Sequence, residues 1–199
     1  MQRARRRLVA RLCDRMRYAG NDVRCPCCEG RFGRFRDAPH GPVCPRCGSD
    51  PAQRLLWLFL NSERLLATPG VRVLQLSPAA CIEQRMRGLA GIHYVTVGTD
   101  GDVLAHASAL PFPDSSFDRV LSGPVPGGRR ALGELTRILS SDGVAVIQDH
   151  GDDSHQATLE EAGFRVRLIA YAEQMDEHAA RRNGVTPSAG GVYLCRLPR

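Results

Sequence analysis

From residue 71 onward, short apolar runs alternate with stretches whose apolar residues recur every three or four positions. Val71–Leu76 reads as a strand, Pro78–Leu89 as a helix with Ile82, Met86 and Leu89 on one side, and Ile92–Val97 as a second strand. Val103–Ala105 is a candidate third strand and Phe117–Leu121 a fourth. Arg129–Leu139 reads as a helix with Leu132, Leu135 and Leu139 inward, followed by a fifth strand at Val144–Ile147. His155–Ala162 is a further helix stopped by Gly163, and Phe164–Ile169 and Val192–Arg196 are the last strands. Alternation of this kind predicts an α/β domain with a mostly parallel sheet, helices on both faces and ligands at the carboxyl ends of the strands.

The front of the chain follows a different pattern. Residues 3–18 place Leu8, Leu12 and Met16 four apart among arginines, the signature of a basic amphipathic helix. Asp50-Pro51 opens a helix, with Asp50 capping and Pro51 preset for the first turn. That helix is expected to run through Leu55, Leu56, Trp57, Leu58, Phe59, Leu60, Leu65 and Leu66, ending before Pro69-Gly70. Because it is apolar nearly all round, it should lie between two packed layers. The expected division is residues 1–50 as a small N-terminal module and 51–199 as the α/β domain. Residues 171–191 form an extended connection suited to a lid or a homodimer contact.

The N-terminal module carries the most specific local motif, Cys25-Pro26-Cys27-Cys28 followed by Cys44-Pro45-Arg46-Cys47. Two Cys-x-x-Cys turns present four soft ligands to one tetrahedral ion, the pattern of a zinc ribbon. Cys25, Cys28, Cys44 and Cys47 are the expected ligands, with Cys27 able to replace Cys25 or Cys28. A site closed by four thiolates has no open position, so its zinc would be structural. Of the other thiols Cys13, Cys81 and Cys195, only Cys81, in a helical first turn, is placed for a lowered pKa.

Charge sharpens this picture only a little. All 27 basic residues are arginine, and residues 1–50 hold 12 of them against 5 acids, a balance of +7, while the remainder comes to −1. A basic front end suits nucleic acid or another acidic partner, although a four-thiolate zinc site would itself contribute about −2. No apolar run approaches the roughly 18 residues of a membrane span, and the Arg-rich start lacks the apolar block of a secretion signal, so a cytoplasmic protein with reduced thiols is expected.

The stretch Ala109-Leu110-Pro111-Phe112-Pro113-Asp114-Ser115-Ser116-Phe117-Asp118-Arg119-Val120-Leu121, with Arg130-Ala131-Leu132-Gly133-Glu134-Leu135-Thr136-Arg137-Ile138-Leu139 and Asp142-Gly143 after it, resembles the class I S-adenosylmethionine-dependent methyltransferases, of the type 11-like kind. The paired cysteines followed by Arg54-Leu55-Leu56-Trp57-Leu58 are similar to a bacterial subgroup with a zinc ribbon ahead of that fold. The resemblance implies a Rossmann-like, seven-stranded, mostly parallel sheet whose last strand, near Val192–Arg196, is antiparallel. It also places the cofactor around Leu76, Ser77, Gly98, Asp100, His106 and Ser122.

At each of those stations the residues depart from the family. Gln75-Leu76-Ser77-Pro78 lacks the Gly-rich turn, and Ser77-Pro78 instead makes a helix start. Gly98 stands where the ribose-binding acid belongs, with Asp100 two residues late, and His106 stands about where the adenine-contacting acid belongs. Two charge-assisted hydrogen bonds lost would weaken cofactor binding by roughly two to four powers of ten. The remaining polar cluster is Gln148-Asp149-His150-Gly151-Asp152-Asp153-Ser154-His155. There His150 with Asp149 could serve as a general base, or His150, His155 and Asp152 could hold a metal, while a plain polar loop with Asp153 capping the next helix explains the same residues. His106 likewise reads either as a pocket donor or as a partly buried structural residue. The expected protein is a methyltransferase scaffold with structural zinc and an eroded S-adenosylmethionine site, repurposed or accessory, binding a different small molecule or a protein partner. The alternatives are an active methyltransferase on a small molecule and a zinc-ribbon nucleic-acid-binding protein.

Overall fold

The structure is a computed structural model and describes residues 16–39, 41–123, 128–148, 154–170, 175–186 and 190–198. A two-stranded antiparallel ribbon, β1 (Val23–Arg24) with β2 (Arg31–Phe32), precedes helix α1 (Pro51–Ser62). There follow β3 (Val71–Leu76), α2 (Ala80–Arg87), β4 (Ile92–Val97), β5 (Phe117–Ser122), α3 (Gly128–Ile138), β6 (Leu139–Gln148), α4 (Ser154–Glu161), β7 (Arg165–Ile169), α5 (Glu177–Asn183) and β8 (Val192–Arg196).

These strands form one six-stranded sheet in the order β4-β3-β5-β6-β8-β7, parallel except for β8, which runs antiparallel to both neighbours. The expected seventh strand at Val103–Ala105 is reduced to a single parallel bridge between Val97 and Val103 at the β4 edge. Three residues bounded by a tight turn extend too little ladder to make a strand.

Alternation along the strands sorts the core into two layers. Val71, Val73, Leu121, Val144, Val146, Val192 and Leu194 share one cluster with Leu55, Phe59 and Leu60 of α1 and Ile82 and Met86 of α2. Leu74, Val120, Ala145, Ile147, Tyr193 and Cys195 face the other way, onto Ala131, Leu132, Leu135 and Ile138 of α3 and Leu159 of α4. Cys25, Phe32, Phe35 and Cys44 belong to the first cluster, so α1 has the paired-cysteine module on one side and the sheet on the other.

Local chemistry sets the element ends. Asp50 and Gln53 make a reciprocal capping box (Gln53 N–H to Asp50 Oδ1 2.8 Å), with Pro51 in the first turn. The helix stops at Ser62, short of the expected Leu66, and Leu65 turns back into the core. α2 begins at Ala80 with no side-chain cap: Ser77, expected to open it, sits at φ +44° and donates its N–H to Val97 O at 2.7 Å. Of the amphipathic helix expected over 3–18, residues 3–15 lie outside the described residues, and Met16, expected on its apolar side, is 80% exposed. Among the described residues no helix is long and apolar enough to cross a membrane.

Candidate functional site

Four sulfurs converge in the N-terminal module. Sγ atoms of Cys25, Cys28, Cys44 and Cys47 all lie within 4.8 Å of one another, with Cys25–Cys47 and Cys28–Cys44 each at 3.7 Å. Tetrahedral zinc with sulfur ligands at about 2.3 Å requires sulfur separations of about 3.8 Å, so the set fits the ion. The backbone is folded for it: Cys25 N–H donates to Gly30 O, Cys44 N–H to Ser49 O and Gly48 N–H to Cys44 O, each at 2.9 Å. Arg46 N–H points at Cys44 Sγ (3.4 Å), and the fully buried Ser49 hydroxyl lies 3.2 Å from Cys25 Sγ and 3.3 Å from Cys47 Sγ. Donors of this kind stabilise thiolates around an ion. Zinc held by these four residues would supply folding energy and leave no position for substrate.

Cys27 stands outside that group. Its Sγ is 3.8 Å from Gln53 O, and hydrogen bonding to Cys25 and Cys81, with burial, pushes its pKa up, so it packs as a neutral thiol. Cys81, the candidate reactive thiol, is buried and directs its sulfur to Gln53 Oε1 at 3.1 Å. Burial pushes Cys195 up to about 12.

Sequence reasoning missed Arg54. It is fully buried, stacks over Phe35 at 4.2 Å from the ring centroid, and donates to the carbonyls of Ser49, Pro42 (2.6 Å) and Gly184 (2.6 Å). Burial pulls its pKa down, while Cys25 and Cys44 push it back up. The guanidinium therefore offsets thiolate charge and joins three distant segments. Gly184 is an αL cap of α5 (φ +65°), and a Cβ there would overlap Phe35, so the stacked ring and the glycine require each other. The available signal was an arginine immediately before the apolar run Leu55–Leu60.

At the carboxyl ends of the parallel strands lie the six positions expected to meet a cofactor. Leu76 and Ser122 are buried, each ending its strand. Gly98 abuts the Ser77 turn, where a Cβ would sit 3.6 Å from Ser77 Cα, an ordinary contact. Asp100 is exposed. The acid fixed at this edge is Asp102, which the sequence reading did not single out. Its carboxylate accepts from Thr96 N–H and Oγ1, both at 2.9 Å, and pairs with Arg87 at 2.8 Å. The Thr96 amide and Arg87 hold its pKa below the usual carboxylate range. Gly101 permits this fold-back, since a Cβ there would lie 2.9 Å from Gly98 N and Thr96 O.

His106 is exposed and satisfied locally, its Nδ1 accepting from Ser108 N–H at 3.3 Å and lying 2.7 Å from Ser108 Oγ. Its reading as a partly buried structural residue gives way to an exposed one in a turn. His150, Asp149, Asp152 and Asp153 lie outside the described residues; His155, on α4, is partly buried with Nδ1 unpartnered.

The stretch that carries the family resemblance is a fastening. Glu134 on α3 accepts Leu110 N–H (2.8 Å) and two bonds from Arg137, which also donates to Phe112 O (2.7 Å), Leu110 O (3.0 Å) and Asp114 (2.8 Å). Arg137 holds Glu134 at about 2, and Arg72 holds Asp118 at about 2 across the β3–β5 pair. Phe112 meets Phe117 edge-on at 4.9 Å. Glu134 and Arg137 thereby shape the loop before β5, and Arg72 with Asp118 ties β3 to β5.

No family model and no curated protein matches the chain. Among solved structures it is similar to a Methanococcus maripaludis protein assigned as an S-adenosyl-L-methionine-dependent methyltransferase, at 12% identity and TM-score 0.52 over 71% of this chain and 84% of that one. It is also similar to the CurJ carbon methyltransferase, at 13% identity and TM-score 0.51, over 75% of this chain and 54% of that one. At such identities the likeness concerns architecture, and with strand order, antiparallel β8 and three-layer packing it shows that this chain has the fold of the class I S-adenosylmethionine-dependent methyltransferases.

Proposed function

We propose that this chain is a repurposed or accessory protein on the methyltransferase scaffold, with structural zinc on Cys25, Cys28, Cys44 and Cys47 and a cofactor cradle too weak for efficient methyl transfer. In this reading the old pocket, around Leu76, Ser77, Gly98, Asp100, His106 and Ser122, takes a different small ligand or its rim meets a protein partner. The division at residue 50 is then one of origin, since the module's Phe35 and Cys44 share a core with α1 and the sheet.

The observation that carries the proposal is Asp102. A ribose-binding acid must present free lone pairs at the end of the second parallel strand, whereas this carboxylate is committed to Thr96 and Arg87. Gly98, at the expected position, has no side chain, and His106 faces solvent. Lacking both anchors, the edge is without the charge that orients a nucleoside.

A gain-of-function experiment tests this. Gly98 is free of left-handed φ and has room for a Cβ, so Gly98→Asp is sterically admissible. Calorimetric titration of Gly98→Asp/His106→Asp with S-adenosylhomocysteine should show affinity raised at least about tenfold over the unsubstituted chain, from one regained charged hydrogen bond. Equal affinity of the two would show that absent carboxylates are not what limits binding.

A further inference from the structure

Far from the cofactor edge, arginines gather on one face of the sheet. Arg165 of β7 and Arg196 of β8 are directly paired, Arg196 pairs in turn with Val144, and Val144 with Arg119 of β5, so the three arginines occupy one lateral row. Arg167, two residues along β7, shares their face, opposite Leu194. Arg165, Arg167 and Arg196, all exposed, line a shallow depression open to solvent, with Leu194 and Val166 at its floor and side. Because β8 is antiparallel, this depression opens at the amino ends of the parallel strands, opposite Gly98 and Ser122.

The charges do not cancel. Arg165 and Arg196 have no carboxylate partner among the described residues, Arg167 reaches Glu63 only at 3.6 Å, and Arg119 is occupied by the carbonyls of Leu65 and Asp118. Like charges directly opposite on neighbouring strands, with Cβ atoms about 5 Å apart, destabilise a sheet. One exposed charge is enough to protect an edge strand from pairing, so edge protection does not require the opposed pair. Burial and Arg196 both lower the pKa of Arg119, in that order of weight apart from the opposing pull of Asp118, as expected for cations that crowd one another.

We propose that Arg165, Arg167 and Arg196 form an anion site for the phosphate group of a small phosphomonoester. Guanidinium forks match phosphate oxygens in geometry, three of them exceed what one carboxylate needs, and a dianion relieves the repulsion that the pair otherwise carries. The three arginines are confined to two adjacent strands, a cluster the size of one phosphate rather than a track. The site is independent of the zinc module and of the cofactor edge.

The test is calorimetric titration of the full chain with inorganic phosphate at low ionic strength, beside thermal melts with and without phosphate. Saturation at one phosphate per chain is expected, weakened at least about tenfold in Arg196→Gln and further in Arg165→Gln/Arg196→Gln. Without phosphate, Arg196→Gln should melt no lower than the unsubstituted chain, because a repulsive pair has been removed, and phosphate should raise the melting temperature of the unsubstituted chain alone. A phosphomonoester such as phosphoserine should bind at least as well as phosphate. No saturable phosphate binding by the unsubstituted chain, an undiminished response in the double variant, or binding confined to a single-stranded RNA oligomer would each overturn the proposal, and the first needs no variant to fold.

Discussion

Replacing Cys44 with serine should release the metal and unfold the N-terminal module together with α1. Zinc held by four thiolates contributes an apparent ~10–16 kcal/mol in small modules, as much as the whole stability of many domains. Here the loss would spread. Cys44 is 1% exposed and shares one hydrophobic cluster with Phe35, Leu55, Phe59 and Leu60, which in turn cover Val71, Val73 and Val144 of the sheet. Metal analysis should find about one zinc per chain before the substitution and none after it, with the first melting transition lost or lowered by many degrees. A Cys44→Ser protein that keeps its metal and its melting temperature would show that the ligand set is wrong.

Arg54→Met should be nearly as damaging, although it removes a charge from an apolar helix. The buried guanidinium serves the carbonyls of Ser49, Pro42 and Gly184, the last 130 residues along the chain from Arg54 itself. Methionine would fill much of the volume yet take their guanidinium donor from the Pro42 and Gly184 carbonyls, leave Ser49 O with Cys44 N–H alone, and strip the thiolate cluster of its counter-charge. Removing one partner from a buried charged network costs about 3–5 kcal/mol. The diagnostic readout is zinc affinity, which should fall about 10- to 100-fold, as when the groups supporting metal ligands are removed. Arg54→Lys should rescue little, since an ammonium cannot fork to several carbonyls at once. Unchanged zinc affinity in a destabilised Arg54→Met chain would reduce Arg54 to a strut with no electrostatic part.

The sheet was legible because its strands obey simple rules. Ile92–Val97 and Val192–Arg196 appear with the limits their apolar runs suggest, and β3, β5 and β7 differ by a residue at most. β6 begins earlier than Val144, at Leu139, because Leu139 pairs with Phe117 before a register shift carries the ladder past Gly143. What the sequence could not give was tertiary. Ser77-Pro78 has the composition of a helix start, yet the Ser77 amide is taken by Val97, and the helix waits until Ala80. Asp102 went unnoticed because its importance lies in folding back six residues onto Thr96, a contact with no periodicity. Arg54 stood in the motif that carries the resemblance, yet its role escaped because its partners are carbonyls distant in sequence.

The same contrast explains why the family resemblance spoke clearly of fold and poorly of activity. Leu110, Phe112, Asp114, Glu134 and Arg137 are read together because they are tied together in space. That lattice shapes the approach to β5 whether or not a cofactor binds beside it. Anchors for the nucleoside answer to a different requirement, free carboxylates at the strand ends; Gly98 has no side chain, the Asp102 carboxylate is engaged by Thr96 and Arg87, and His106 is not an acid.

The most direct measurement is calorimetric titration of the intact zinc-loaded chain with S-adenosylhomocysteine. On the proposed reading, in which the cradle lacks both carboxylate anchors, the protein should give no saturable heat below millimolar ligand. A one-to-one isotherm with micromolar affinity would contradict the account, since it would mean that the cradle holds a nucleoside by contacts other than those whose loss is inferred here.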